Sequence, residues 1–267
     1  MALKVYRSGG PVPPRILIHG GQKVGKTTFA AGAPNPIFLP TEDGLAAIPG
    51  VDRFPLLRSY EQIDEALDQL LAGMAKEDGT PYGTAVLDSA DWAEPLILDK
   101  VARDHGMAVY DTTMKGSPLA FGRGPMAAAN VWGKLLAKFD RLRDERGMAT
   151  IIIAHSKIKR SEDAFVDAYD KYVIDLLKDS TAKIVEWADI IGYATQKVSV
   201  RVEKIGQDTI KKHGLMTEPE HVLFTKNRPE CISGSRWPLP AEMPLNYPVF
   251  HDHLMKAMLQ PAQQNAA

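Results

Sequence analysis

The sequence predicts an α/β fold in which helices flank a mostly parallel central sheet. Short apolar runs alternate with segments of helical periodicity in the first part of the chain, a pattern typical of parallel sheets. The later part contains the short β-like runs "IIGYATQ", "VSVRVEK" and "HVLFTKN", which predict a β-rich antiparallel C-terminal extension. With 267 residues, 45% of them hydrophobic, the chain is long enough to bury the core of one large domain.

Composition narrows the class of protein. The 32 basic and 33 acidic residues almost cancel, so any contact with nucleic acid must come from a local basic patch. A single cysteine, Cys231, excludes a disulfide framework or a thiolate zinc site and indicates a reducing compartment. No apolar run is long enough for a membrane span, and the N-terminus lacks the apolar region of a secretion signal. We therefore expect a cytoplasmic protein that makes no membrane contact.

The first predicted strand, "RILIH" (15–19), leads into the motif G-x-x-x-x-G-K-[ST], a phosphate-binding P-loop. Its glycines allow a tight turn, and successive backbone N–H groups then point into one concavity at the start of a helix. Lys26 would reach the β- and γ-phosphates of a nucleotide, and the hydroxyl of Thr27 would bind Mg²⁺. The candidate nucleotide-binding residues are Gly20, Gly21, Gln22, Lys23, Val24, Gly25, Lys26, Thr27 and Thr28.

Acidic residues follow the next two predicted strands. The run "PIFLP" (36–40) places Glu42 and Asp43 at its C-terminal end, where open α/β sheets bind their ligands, although both acids could simply be solvated in a turn. A helix over residues 60–79 comes next, and the run "TAVL" (84–87) then closes on Asp88. This run is typical of a Walker B strand, whose carboxylate holds Mg²⁺. The alternative role for Asp88 is that of a helix N-cap.

The second half of the predicted core contains one more candidate site residue. Residues 107–126 break all periodicity and predict a mobile basic loop. After a helix, "MATIIIAHSKIKR" predicts a buried strand that places His155 near the expected γ-phosphate. His155 could sense that phosphate or orient water, or it could be a core histidine. The charged residues 157–170 predict a flexible loop, which leads into the β-like run "KYVIDL" (171–176).

Five segments together resemble the RecA-like ATPase core, and most closely its minimal phage-encoded group. That group consists of single-strand annealing recombinases of an AAA-type ATP-binding family. The segments are "ILIHGGQKVGKTTFA" (16–30), "FLPTEDGL" (38–45), "VLDSADW" (86–92), "IIIAHSK" (151–157) and "TKNR" (225–228), with "EWAD" (186–189) in support. The resemblance divides the chain into an N-terminal arm (1–13), a RecA-like P-loop NTPase core (14–240), and a C-terminal helix with a frayed tail (241–267).

The resemblance also implies roles for individual residues. Glu42 would activate the attacking water, and His155 would sense the γ-phosphate and begin a DNA-binding loop over residues 157–170. Lys226 and Arg228 would reach into the site of a neighbouring copy, which implies a ring or a filament.

The implied activity is ATP hydrolysis with Mg²⁺, stimulated by single-stranded DNA in recombination or annealing. A single-strand-binding protein is a further possible partner, and the location would be the bacterial host cytoplasm if the gene is phage-encoded. The candidate DNA contacts are Lys115, Arg123, Lys157, Lys159 and Arg160, each of which could also be a solvated surface charge.

Two alternatives stay open at this point. A small-molecule kinase would use residues 107–126 as a lid over its acceptor. A regulatory switch module would bind ATP, hydrolyse it slowly and recruit a protein partner. The chain lacks the Asn-Lys-x-Asp motif of GTPases and the Leu-Ser-Gly-Gly signature of transporter ATPases, which disfavours both of those classes.

Overall fold

The computed structural model describes residues 11–162, 167–197, 199–205, 209–215 and 220–259. Most of the predicted N-terminal arm (1–10) and the predicted frayed tail (260–267) lie outside these ranges, as do residues 163–166 of the predicted DNA-binding loop. Within the described ranges, none of the helices combines the length and apolar character needed to cross a bilayer.

Strands and helices alternate through the first part of the chain, and strands dominate the rest. The strands are β1 (Arg15–Gly20), β2 (Pro36–Pro40), β3 (Asp52–Arg53), β4 (Thr84–Asp88), β5 (Ala149–Ser161), β6 (Tyr169–Ile174), β7 (Ile190–Gln196), β8 (Ser199–Ile205), β9 (Thr209–Leu215), β10 (His221–Phe224), β11 (Gly234–Ser235) and β12 (Glu242–Pro244). The helices are α1 (Lys26–Ala31), α2 (Tyr60–Leu71), α3 (Ala90–Asp104), α4 (Arg123–Arg146), α5 (Lys178–Trp187) and α6 (Tyr247–Leu259).

The main sheet has the order β12-β10-β7-β1-β5-β4-β2-β3. Its pairs from β7 through β1, β5, β4 and β2 to β3 are all parallel, whereas β10, β11 and β12 join the β7 side in antiparallel pairs. The predicted fold class is therefore confirmed: helices flank a mostly parallel sheet that has an antiparallel C-terminal extension. β12 brings the sheet past residue 240.

Both faces of the sheet are covered, which explains the continuous apolar runs in its central strands. The helices α2, α3, α4 and α5 pack on one face, where Ile63, Trp132 and Phe139 are fully buried. On the other face, α1 and α6 meet through the aromatic pair Phe29 and Phe250, whose ring centroids are 5.4 Å apart. Strands covered on both faces show continuous apolar runs rather than alternation.

Two predicted loops are partly regular structure. The strand β5 continues to Ser161 and pairs with β6 as an antiparallel ribbon, so residues 157–161 are strand rather than the predicted loop. Within the predicted mobile loop 107–126, helix α4 already begins at Arg123, and Leu119 is fully buried in the core. The predicted β-like run "KYVIDL" (171–176) overlaps β6, whereas the antiparallel pairing of β6 with β5 was not predicted.

Candidate functional site

The predicted site residues converge at the carboxyl edge of four neighbouring parallel strands. Gly20 at the end of β1 pairs in register with His155 of β5, and Asp88 at the end of β4 pairs with Pro40 at the end of β2. Glu42 comes two residues after β2. The carboxyl edge of an open α/β sheet is where such folds bind ligands, and the register alone brings these residues to it.

The phosphate-binding loop is built around the buried Lys26. Its ammonium group donates to the backbone carbonyls of Gly21, at 2.6 Å, and Gly20, at 3.2 Å. The loop needs glycine at two positions: a Cβ at Gly20 would clash with the carbonyl oxygen of Ala194, and Gly25 has a φ of 101°. Burial lowers the pKa of Lys26, and the negative charges of nearby carboxylates oppose that shift.

Thr27 and Asp88 meet directly beside this loop. The Thr27 hydroxyl donates to Asp88 Oδ2 at 2.9 Å, whereas the buried Oδ1 of Asp88 has no hydrogen-bond partner among the described residues. Burial raises the pKa of Asp88 to about 6, and the charge of Glu42 contributes in the same direction. Mg²⁺ prefers hard oxygen ligands, so an unpaired carboxylate oxygen beside a hydroxyl fits this ion.

A side-chain latch fixes the position of Glu42. The Thr41 hydroxyl donates to the backbone carbonyl of Ser89 at 2.6 Å and accepts from the backbone N–H of Ser89 at 2.9 Å. The Thr41 backbone N–H also donates to the Asp88 carbonyl at 2.8 Å. The latch therefore joins the ends of β2 and β4. Burial raises the pKa of Glu42, which makes its carboxylate a stronger base.

His155 is held by Asp91, which lies in the first turn of α3 and to which sequence analysis assigned no role in the site. Asp91 Oδ1 accepts from the backbone N–H of His155 at 2.9 Å, and Oδ2 lies 2.8 Å from the ring Nδ1. Ser89 occupies the N-cap position of α3 without a side-chain cap bond. One donor atom from each of Glu42, Asp91 and His155 lies within 4.8 Å of the other two, so the three form one polar cluster.

Lys226 and Arg228 lie just beyond β10, which β7 separates from β1. Lys226 is exposed. The Arg228 guanidinium lies 3.9 Å from the ring centroid of Phe224 and pairs with Glu230 at 3.0 Å. Within one chain, Arg228 is thus engaged by its own surroundings.

The candidate DNA contacts fall into two exposed groups. Lys115 lies in the predicted loop 107–126, and Arg123 lies at the end of that loop, where α4 begins. The other three lie on the β5–β6 ribbon. Two ribbon residues have acidic partners: Lys157 pairs with Asp175 at 2.8 Å, and Arg160 lies 3.7 Å from Asp170. Lys159, which lies between them along β5, is also exposed.

Comparison with known proteins agrees with this geometry. The family model described as an AAA domain matches residues 12–229, which include every strand and helix from β1 to β10. No curated protein matches the chain. The match covers most of the sequence, and the P-loop, the strand ending in Asp88 and the surrounding parallel sheet all lie inside it. The chain therefore belongs to the AAA-domain family of nucleotide-binding P-loop ATPases.

Proposed function

We propose that the chain binds ATP with Mg²⁺ at this edge and hydrolyses it. The observation that carries the proposal is the arrangement around Asp88. A buried carboxylate with one oxygen unpaired lies against the Thr27 hydroxyl, beside a buried lysine that only backbone carbonyls hold among the described residues. Buried polar groups are usually fully paired, so two incompletely paired groups side by side support a site that a ligand completes. Thr27 and Asp88 would hold Mg²⁺, which neutralises charge on the phosphates when bound.

The remaining residues divide the work of hydrolysis. Lys26 and the backbone N–H groups of residues 21–27 would bind the phosphate oxygens and stabilise the charge that develops during transfer. Glu42 would accept a proton from water as the water oxygen bonds to the γ-phosphorus and the bond to the bridging oxygen of ADP breaks. The raised pKa of Glu42 suits a general base, because such a group works best near the operating pH.

We further propose that single-stranded DNA is the partner and that recombination or annealing is the process. Support comes from the resemblance to minimal phage-type RecA-like proteins and from the β5–β6 ribbon. This ribbon continues the same strand that contains His155 and displays Lys157, Lys159 and Arg160 at its surface. A ligand bound to the ribbon would thus contact the same strand that carries His155 at the hydrolytic site. Exposed basic side chains suit binding to the phosphate backbone of DNA.

Hydrolysis assays with matched variants test the proposal. ATP turnover would be measured with and without a long single-stranded oligonucleotide for the wild type, Lys26→Ala, Glu42→Gln and the control Asp43→Asn. We expect DNA to stimulate the wild type and the control, and we expect no turnover from the other two. Lys26→Ala should also lose nucleotide affinity, whereas Glu42→Gln should keep it.

Each contrary result removes a different part of the proposal. Stimulation that survives Glu42→Gln would exclude Glu42 as the base. Turnover that DNA does not change would leave the ATPase and exclude DNA as its activator. Phosphate transfer to an added acceptor, with no release of free phosphate, would favour a kinase instead.

A further inference from the structure

The contact between Asp91 and His155 determines which ring nitrogen of the histidine carries the proton. Burial opposes ionisation of Asp91, but hydrogen bonds from the His155 ring and backbone outweigh it and lower the pKa of this carboxyl. Asp91 is therefore ionised at neutral pH, and an ionised carboxylate has no proton to donate. Since Nδ1 lies 2.8 Å from Asp91 Oδ2, Nδ1 must carry the ring proton. In a neutral ring, Nε2 then has the unprotonated lone pair.

We propose that Asp91 is a positioning residue that holds His155, whose ring lies beside Glu42, as its Nδ1–H tautomer, so that Nε2 is the hydrogen-bond acceptor of the ring. This inference rests on the proposed hydrolytic role of Glu42. It changes the role expected for His155, because a neutral ring with a bare Nε2 cannot donate to a phosphate oxygen. The ring instead accepts a hydrogen bond from the attacking water, or from Glu42 once Glu42 has taken the proton of that water.

The geometry fits positioning better than helix capping or metal binding. Both Asp91 oxygens face His155, one toward the backbone and one toward the ring, so the carboxylate fixes the peptide and the side chain together. A metal ion bound through Asp91 would have to share an oxygen that already accepts one of these hydrogen bonds. The side chains of His155 and Asp91 are 16% and 13% exposed, which places the pair at the border of the site rather than in the core.

Nitrogen-15 NMR of histidine-labelled full-length protein tests the assignment without nucleotide. The His155 signal is identified by its loss in His155→Gln. We expect a protonated Nδ1 and a bare Nε2 in the neutral wild type, and a proton no longer confined to Nδ1 in Asp91→Ala. The control Asp43→Asn should leave the signal unchanged. A proton on Nε2 in the wild type, or the same tautomer in Asp91→Ala, would overturn the proposal.

Two further variants keep the test valid if Asp91→Ala does not fold, and they separate a positioning role from general destabilisation. Asp91→Asn keeps the shape but can accept at only one of the two positions, so either the ring or the backbone N–H signal of His155 must shift. Asp91→Glu restores the carboxylate and should recover part of the turnover. If neither His155 signal shifts in Asp91→Asn, the positioning role is excluded.

The kinetic readout separates this proposal from the proposed function. Loss of a positioning contact should lower kcat by about tenfold to a hundredfold while leaving the KM for ATP nearly unchanged. A wild type that does not hydrolyse ATP would refute the proposed function, and the tautomer would still decide whether Asp91 fixes His155. An active wild type with a proton on Nε2 would refute only the role of Asp91.

Discussion

The charged form of Asp88 favours cation binding but lowers the stability of the fold. Burial raises the pKa of this carboxyl from 3.8 to about 6, so the charged form that binds a cation destabilises the unliganded fold. The sign follows from linkage: the folded-state pKa is raised, so the stabilisation is complete below the unfolded pKa and is lost as pH rises through about 6.

This opposition predicts that Asp88→Asn stabilises the free protein while removing function. In urea unfolding without Mg²⁺, the variant should exceed the wild type by up to about 3 kcal/mol at neutral pH, with the difference shrinking toward acid pH. Magnesium-dependent nucleotide binding should weaken. Asp43→Asn, at an exposed acid nearby, serves as the control. A stability difference that does not vary with pH would mean that Asp88 is not the group being desolvated.

Sequence motifs located Lys26, Thr27, Glu42 and Asp88 because each has a fixed relation to one strand end. Asp91 differs, because an acid in the first turn of a helix is common and favourable whatever its tertiary partner. Its contact with His155 spans 64 residues of sequence and depends on how α3 leaves the sheet. Only the three-dimensional structure could reveal that contact.

The Thr41 latch acts between elements, because it ties the end of β2 to the residue after β4. Thr41→Val keeps the shape but removes the hydroxyl that both donates to and accepts from the backbone of Ser89. Losing these bonds should cost about 1–3 kcal/mol of stability. Because Glu42 follows directly, turnover should fall about tenfold even if the carboxylate shifts by much less than its own length.

Thr41→Ser is the matched control for the latch, because it keeps the hydroxyl and loses only a methyl group. Stopped-flow or steady-state assays of both variants, together with nucleotide affinity, would check the prediction. Affinity should remain close to that of the wild type in both. Equal turnover in the valine and serine variants would show that the latch does not position Glu42.

The β5–β6 ribbon shows why the pairing of two exposed strands resists prediction from sequence. Periodicity identifies a strand by its buried face, and the inner part of β5, ending at Ala154, is buried throughout. Beyond the sheet the ribbon has solvent on its sides, so even Ile158 is 61% exposed and charged residues are tolerated beside it. The charged composition of residues 157–161 therefore favours a loop, but their hydrogen bonds to β6 make them a strand.

For the whole molecule, we propose that Arg228, together with Lys226, acts as an arginine finger in a neighbouring site, which predicts that one chain completes the site of another. Lys26→Ala keeps Arg228 but cannot bind the phosphates. Arg228→Ala keeps the phosphate-binding loop but lacks the arginine. Mixing the two should restore more turnover than either gives alone, because mixed assemblies contain some complete sites. An arginine finger supplied in trans can raise rates by several orders of magnitude, so the gain should be easily measured.

The control for this experiment is a mixture of Lys26→Ala with the double variant Lys26→Ala, Arg228→Ala, in which no complete site can form. Turnover of the wild type should also rise more steeply than its concentration when assemblies dissociate at dilution. If the first mixture gains nothing although both variants bind the wild type, the finger assignment is wrong.

The central place of β1 has a consequence for how the protein loses activity. This strand is hydrogen-bonded on both sides, to β5 and β7, and its residues Ile16, Leu17 and Ile18 are buried between the helices that cover the two faces of the sheet. Amides in such a strand exchange with solvent only when the domain opens as a whole. Nucleotide affinity should therefore be lost at the same denaturant concentration at which the slowest-exchanging amides lose their protection. A partly denatured sample should then contain molecules that bind nucleotide fully and molecules that do not bind it, rather than molecules with weakened binding.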